Sequence, residues 1–231
     1  MQIDPDRYDA LTFDCYGTLV DWETGLTAFL QPLIERHDVH AVDGFLLEFF
    51  ARSEAALEAG PYRSYREVLE GVLAALGERL AFRPDAETLA AFGDSVGDWL
   101  PFPDVVPALK SLASRFQLVV ISNVDDDLFE LTQARLGINF DDVITAAQVK
   151  AYKPDRRLFE TALERTGVPR ERTLHVAQSL YHDIAPASTL GFDTVWIDRH
   201  DGRDGATAPA EATPTWRMTN LTELADALSA D

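Results

Sequence analysis

An aspartate that closes an apolar run and is followed by a turn can present its carboxylate to a substrate as a nucleophile. Residues 13–19, Phe-Asp-Cys-Tyr-Gly-Thr-Leu, have that form, with Asp14 at the end of the run and Gly17 in the turn. A carboxylate so placed attacks an electrophilic atom, holds the product as a covalent ester, and is regenerated when water cleaves that ester. Taken alone, Asp-x-x-Gly-Thr is also an ordinary turn. Three further polar groups stand at comparable places: Ser122-Asn123 after Leu118-Val-Val-Ile121, Lys153-Pro154 ahead of a helical pattern, and Asp183 beyond Leu174–Ala177.

These groups meet only if the runs that carry them lie side by side. Residues 8–14, Leu118–Ser122, Leu174–Ala177 and Thr194–Ile197 are short and apolar, and read as buried strands. Between them, Asp127–Leu136 and Asp155–Thr166 place apolar residues at helical spacing, as at Leu158, Phe159, Ala162 and Leu163. Strands alternating with helices predict an α/β fold with a parallel sheet covered on both faces. Ligands of such sheets sit beyond the carboxyl ends of the strands, where Asp14, Ser122, Lys153 and Asp183 converge. Residues 22–100 read differently: Leu26, Phe29, Leu30 and Leu33, then Phe45 to Leu57, then Tyr65 to Leu80 are helical in pattern, with no convincing strand. A helical insertion after the first strand therefore interrupts the alternation and returns to the sheet near Pro101-Phe-Pro103. Asp201–Pro214, rich in Gly, Ala, Thr and Pro, reads as a mobile loop.

The chain has 231 residues, 46% hydrophobic and 26% charged, enough for one large domain or a core with a smaller insertion. Its net charge of −19 repels nucleic acid and anionic membranes, although a small anionic substrate can still enter a locally basic pocket. No apolar run approaches the roughly 20 residues of a membrane span, and the N-terminal Met-Gln-Ile-Asp-Pro-Asp-Arg lacks the pattern of a secretory signal. Cys15 is the single cysteine, so an intramolecular disulfide and paired-cysteine metal knuckles are excluded. A cytoplasmic location is the expectation.

The ordered series Asp14 and Thr18, Ser122-Asn123, Lys153-Pro154 and Asp183 resembles the haloacid dehalogenase superfamily over nearly the full chain. The resemblance implies a Rossmann-like core, residues 1–21 and 101–231, with residues 22–100 as a helical cap domain. Phosphatases of this superfamily carry a second aspartate two positions after the nucleophile and an acidic segment that helps to hold magnesium. Here those places hold Tyr16 and Ala177-Gln178-Ser179. A phosphate dianion beside Asp14 makes two repulsive charge pairs, each about 4 kcal/mol at 4 Å and an effective dielectric near 20. One lysine offsets about one of them. These residues speak against a phosphatase and against a metal or cofactor.

The string Asp14-Cys-Tyr-Gly-Thr18 instead resembles the (S)-2-haloacid dehalogenase branch, in which the aspartate displaces halide from the α-carbon and water hydrolyses the ester. That resemblance implies catalytic roles for Asp14, Thr18, Lys153 and Asp183. Lys153 keeps Asp14 ionised and pulls its pKa down, and Asp183 orients Lys153 or the hydrolytic water. It implies substrate contacts from Tyr16, Ser122 and Asn123, the last two holding a carboxylate, and from Arg52, which matches an arginine that receives the leaving group or the substrate anion. His182 is a candidate base or a loop histidine. The partner implied is a small anionic carboxylate, and the family leaves a homodimer possible. Two departures stand out: Phe159 where the branch usually has tyrosine, and Ala177-Gln178-Ser179 with one extra residue before Asp183. Leu11–Leu19, Asp21–Gly25 and Ser179–Asp183 are similar to a hydrolase of this branch that opens L-azetidine-2-carboxylate, so a strained ring amine is an alternative leaving group. A magnesium-dependent phosphatase and a non-catalytic binding protein are the remaining alternatives.

Overall fold

The computed structural model describes residues 3–202, 206 and 210–229; positions 203–205 and 207–209 of the loop expected at 201–214 lie outside the described residues. Six strands form one parallel sheet: β1 (Ala10–Phe13), β2 (Gln117–Ser122), β3 (Asp142–Thr145), β4 (Thr173–Ala177), β5 (Asp193–Ile197) and β6 (Trp216–Met218). Their order is β3-β2-β1-β4-β5-β6, the doubly wound arrangement of a Rossmann-like core. The chain turns to one side of β1 through β2 and β3, then crosses to the other side for β4. The crevice at the carboxyl ends of β1 and β4 is therefore the switch point where such sheets place ligands.

Strand β2 shows why both faces are covered. Its alternate residues Leu118 and Val120 belong to one core cluster, Val119 and Ile121 to another, and all four are buried. This is the two-residue period of a strand packed on both sides. The helices Asp126–Leu136 and Arg156–Thr166 fall where the helical spacing places them. Strands β3 and β6 carry no such signal: Asp-Val-Ile-Thr begins with an acid, and Trp-Arg-Met is three residues at a sheet edge, next to β5 alone.

All regular structure between Trp22 and Asp98 is helical: α1 (Trp22–Glu35), α2 (Asp43–Glu58), α3 (Tyr65–Arg79), α4 (Ala86–Asp94) and a short 3₁₀ turn. Helix α1 buries Trp22, Leu26, Leu30 and Leu33, and α3 buries Val68, Leu69, Val72, Leu73 and Leu76, the stripes expected of 3.6 residues per turn. Where this segment leaves and rejoins the sheet, the two chain crossings run side by side. Asp21 N–H donates to Leu100 O at 2.9 Å, and Phe102 N–H donates to Leu19 O at 3.1 Å. A second tie comes from the loop after β2, where the buried Asp125 carboxylate accepts the N–H groups of Tyr65 and Arg66 at 3.0 and 3.1 Å. That carboxylate satisfies two of the free N–H groups at the start of α3.

Gly25 of α1 lets the helix pass close to Trp99. A Cβ there lies 2.2 Å from Trp99 Cδ1 and 2.5 Å from Cγ, and Trp99 is buried with its ring edge-on to Tyr16 at 5.6 Å. The helix and the indole must separate to admit even a methyl group. We expect Gly25→Ala to lower stability by about 1–3 kcal/mol, read as a fall in the thermal midpoint; an unchanged midpoint contradicts this packing.

Candidate active site

Asp14 follows β1, its own N–H donating to Val176 O of β4 at 3.1 Å, so the carboxylate emerges at the switch point. Lys153 Nζ donates to Asp14 Oδ1 at 2.7 Å, to Asp183 Oδ1 at 2.7 Å and to Ile121 O at 2.9 Å. All three ammonium hydrogens are thereby committed. Thr18 donates from Oγ1 to Asp14 Oδ2 at 2.5 Å, and that same oxygen accepts the Gln178 N–H at 2.8 Å. The turn through Gly17, at a φ of 94°, brings Thr18 back over Asp14. Each carboxylate oxygen of Asp14 thus has one donor and retains a lone pair.

The second carboxylate is held from behind. Asp183 Oδ1 is also 3.2 Å from His175 Nε2, whose Nδ1 lies 2.9 Å from Thr12 Oγ1, and all three residues are buried. Asp183 Oδ2 has no partner among the described residues. His175 sits inside β4 with Phe159 edge-on to its ring at 5.2 Å. Neither residue type nor spacing singled it out beforehand; the available signal was one histidine inside an otherwise apolar strand.

The segment before Asp183 explains how an additional residue is accommodated. Leu180–Ile184 winds as a π-helical turn, with Ile184 N–H donating to Ser179 O, five residues back, at 3.1 Å. A π turn holds one residue more than an α turn and leaves the flanking chain in place. Asp183 consequently still reaches Lys153.

Burial pushes the Asp14 carboxyl above the ordinary aspartate value; the Lys153 ammonium pulls it down, the Asp183 charge raises it, and Thr18 lowers it again. The lysine therefore acts in the direction expected from sequence, but burial outweighs it. Burial also raises Asp183, yet Lys153 and then His175 more than compensate, and its net direction is down. Burial lowers Lys153, and the two carboxylates overcome this and raise it. His182 is held down to about 4, mainly by burial, and is uncharged at neutral pH.

A cavity of about 680 Å³, counting its open mouth, lies between the carboxyl ends of the strands and the helical segment. Asp14, Tyr16, Asn123, Lys153 and Asp183 line it, as do His182 and Ser179. The Tyr16 hydroxyl is within 2.9 Å of Thr132 Oγ1, so this residue offers the cavity its ring. Asn123 is occupied as well. Its Oδ1 accepts Lys153 N–H at 2.7 Å, while Nδ2 donates to Lys153 O and to Glu58 Oε2, both at 3.3 Å. Ser122 is fully buried at the end of β2, its hydroxyl without a partner among the described residues, and of the Ser122/Asn123 pair only Asn123 lines the cavity.

Arg52 requires correction. Its side chain is 80% exposed and pairs with Glu48 at 2.8 Å on the outer surface of α2. The cavity face of α2 is Phe50, Ala51, Glu54, Ala55 and Glu58, and at 3.6 residues per turn Arg52 points away from Glu54. Among the described residues, no arginine lines the cavity. Glu54 and Glu58 are the lining residues that sequence reasoning missed, because an i, i+4 acidic pair on a helix ordinarily marks its solvated side.

Comparison with known proteins decides the family. The family model for haloacid dehalogenase-like hydrolases matches residues 8–191, spanning sheet, helical insertion and cavity. The chain belongs to the haloacid dehalogenase-like hydrolases. It is 30% identical over 225 residues to (S)-2-haloacid dehalogenase H-109 of Pseudomonas putida, covering 94% of this chain and 96% of that one. A second (S)-2-haloacid dehalogenase of Pseudomonas putida is 28% identical over 226 residues, with 94% of each chain covered. The L-2-haloacid dehalogenase from Xanthobacter autotrophicus, solved with chloropropionic acid covalently bound, superposes with a TM-score of 0.81 at 22% identity, over 95% of this chain and 97% of that one. Among the described residues of this hydrolase, no helix is long and apolar enough to cross a membrane.

Replacing Lys153 by methionine keeps the side-chain length and removes the charge between two buried carboxylates. We expect Lys153→Met to lose about 3–5 kcal/mol at neutral pH. Without the ammonium, folded Asp14 and Asp183 bind protons more readily than the unfolded chain does, so acidification stabilises the variant relative to wild type. The gap in urea unfolding should narrow as pH falls; a widening gap contradicts the arrangement.

Proposed function

We propose that this hydrolase acts on a small 2-substituted carboxylate by displacement at carbon, with Asp14 as nucleophile and without a metal. The observation that carries the reading is the Asp14 carboxylate itself, buried at the switch point between Lys153 and Thr18, with Tyr16 where a phosphatase needs a second acid. An Asp14 oxygen bonds to C2 as the leaving group departs with the bonding electrons, halide being the default by likeness to the (S)-2-haloacid dehalogenases. Lys153 holds Asp14 ionised and in place. Water then adds to the Asp14 side-chain carbonyl and loses a proton to the free Oδ2 of Asp183. The Asp14–product ester bond breaks, the product oxygen takes a proton, and a 2-hydroxy acid leaves. One oxygen of Asp14 now comes from water. The single buried cysteine fits a reducing, cytoplasmic setting.

A single turnover in ¹⁸O-water with enzyme in excess is expected to label Asp14 first and not the product; label in product alone defeats the proposal. Asp14→Asn should reduce halide release from (S)-2-chloropropionate, measured in EDTA, by about 10⁴-fold or more. Because Asp14 attacks only when ionised and burial raises its pKa, kcat/KM should fall on the acid side at a pH above the usual aspartate value. A rate that stays level down to about pH 4 contradicts that assignment.

A further inference from the structure

An imidazole at the middle of β4 is not what packing asks for. Leu174 and Val176 flank it, and Phe159 and Phe192 stand edge-on to its ring at 5.2 and 6.5 Å. An apolar ring fills the same space without taking polar nitrogens out of water. Both nitrogens of His175 instead carry bonds. Nε2 lies 3.2 Å from Asp183 Oδ1, and Nδ1 lies 2.9 Å from Thr12 Oγ1. An ionised carboxylate only accepts, so the hydrogen between His175 and Asp183 sits on Nε2. Among the described residues, the Asp183 carboxylate has two side-chain donors, Lys153 and His175, and both reach Oδ1. The ammonium is shared with Asp14, whereas the imidazole serves Asp183 alone of the two carboxylates. Phe159, packed on the imidazole, has no hydroxyl to add a third donor.

We propose that His175 is a positioning residue for ester hydrolysis: its Nε2–H keeps Asp183 ionised and in place to take the proton of the attacking water. The inference rests on the function proposed above and adds a residue to its second step. Once Asp14 is esterified its charge is gone, and Asp183 is the remaining anion beside Lys153. A base works only while it is unprotonated, and a hydrogen bond donated to its charged form keeps it so to lower pH. Burial raises Asp183; Lys153 opposes this most, and His175 next. The other titratable groups near Asp183 are Asp14, after β1, and His182, on the same π turn. Glu54 and Glu58 line the cavity from α2. Without the imidazole the lysine holds the Asp183 charge unaided. Hydrolysis then fails at a higher pH than in the wild type, and the ester accumulates.

The test forms the Asp14 ester from (S)-2-chloropropionate with enzyme in excess, transfers it to buffers of falling pH, and follows its decay by intact mass. In His175→Phe the acid limb of decay is expected about one to two pH units above that of the wild type. His175→Gln, which keeps an N–H near the place of Nε2, should return most of that shift. Asp14 is esterified throughout, and Glu54, Glu58 and His182 are common to all three proteins, so a limb that moves with residue 175 belongs to Asp183. The same limb in wild type and His175→Phe overturns the proposal. A second measurement needs neither variant nor substrate. Nuclear magnetic resonance of the wild-type protein with ¹⁵N-labelled histidine should find the hydrogen of the buried imidazole on Nε2, and a hydrogen on Nδ1 alone overturns the proposal even if the variants fail to fold. The two readings fail in different ways. Absence of any Asp14 ester in the wild type defeats the hydrolytic reading and this step with it, whereas an ester whose decay ignores residue 175 defeats the role of His175 alone.

Discussion

Two carboxylates and one ammonium, all buried, meet at the carboxyl end of the sheet, and the neighbouring structure is arranged to make this tolerable. Removing a single charge from water costs several kcal/mol even after the protein relaxes. Lys153 is shared between Asp14 and Asp183, and its third hydrogen goes to the backbone at Ile121. The trio still carries one excess negative charge. Thr18 and the Gln178 N–H behind it support one carboxylate, and His175 with Thr12 supports the other. Strands β1, β2 and β4 must be neighbours for these groups to meet, so the sheet order and the electrostatics are one constraint.

Polar support extends from the lysine in the other direction too. Asn123 grips the backbone of Lys153 through both N–H and C=O, then reaches Glu58 on the helical insertion. The residue that holds the lysine loop is therefore in contact with the wall opposite the nucleophile. Ammonium position and cavity shape share one side chain.

Much of this was readable before any coordinates. The strands β1, β2, β4 and β5 announced themselves as apolar runs with polar ends, and the helical segment by its spacing; Asp14 and Thr18 follow the first run, and Lys153, read as standing ahead of a helix, meets Asp14 and Asp183 beyond the strand ends. Strands β3 and β6 were not readable, because a four-residue strand opening with Asp142 and a three-residue edge strand are held by neighbours rather than by their own pattern. Arg52 was misplaced for a related reason. Sequence identified the helix but not its phase, and a shift of two residues exchanges an arginine for Glu54. His175 and Glu58 escaped because their types are ordinary in a strand and on a helix, and only tertiary neighbours give them meaning.

The carboxylate of Asp125 bears on how such molecules diversify. It follows strand β2, yet it accepts the first two N–H groups of α3 in the helical segment. Ser64 and Glu67 cap the helix from within its own segment, but its first two N–H groups depend on a carboxylate beyond β2. Exchanging only residues 22–100 with a homologue keeps the helix and its Ser64 cap but gives its first two N–H groups a new acceptor environment. A chimera that carries the loop after β2 along with the helical segment keeps both halves of this contact together, although the chain separates them.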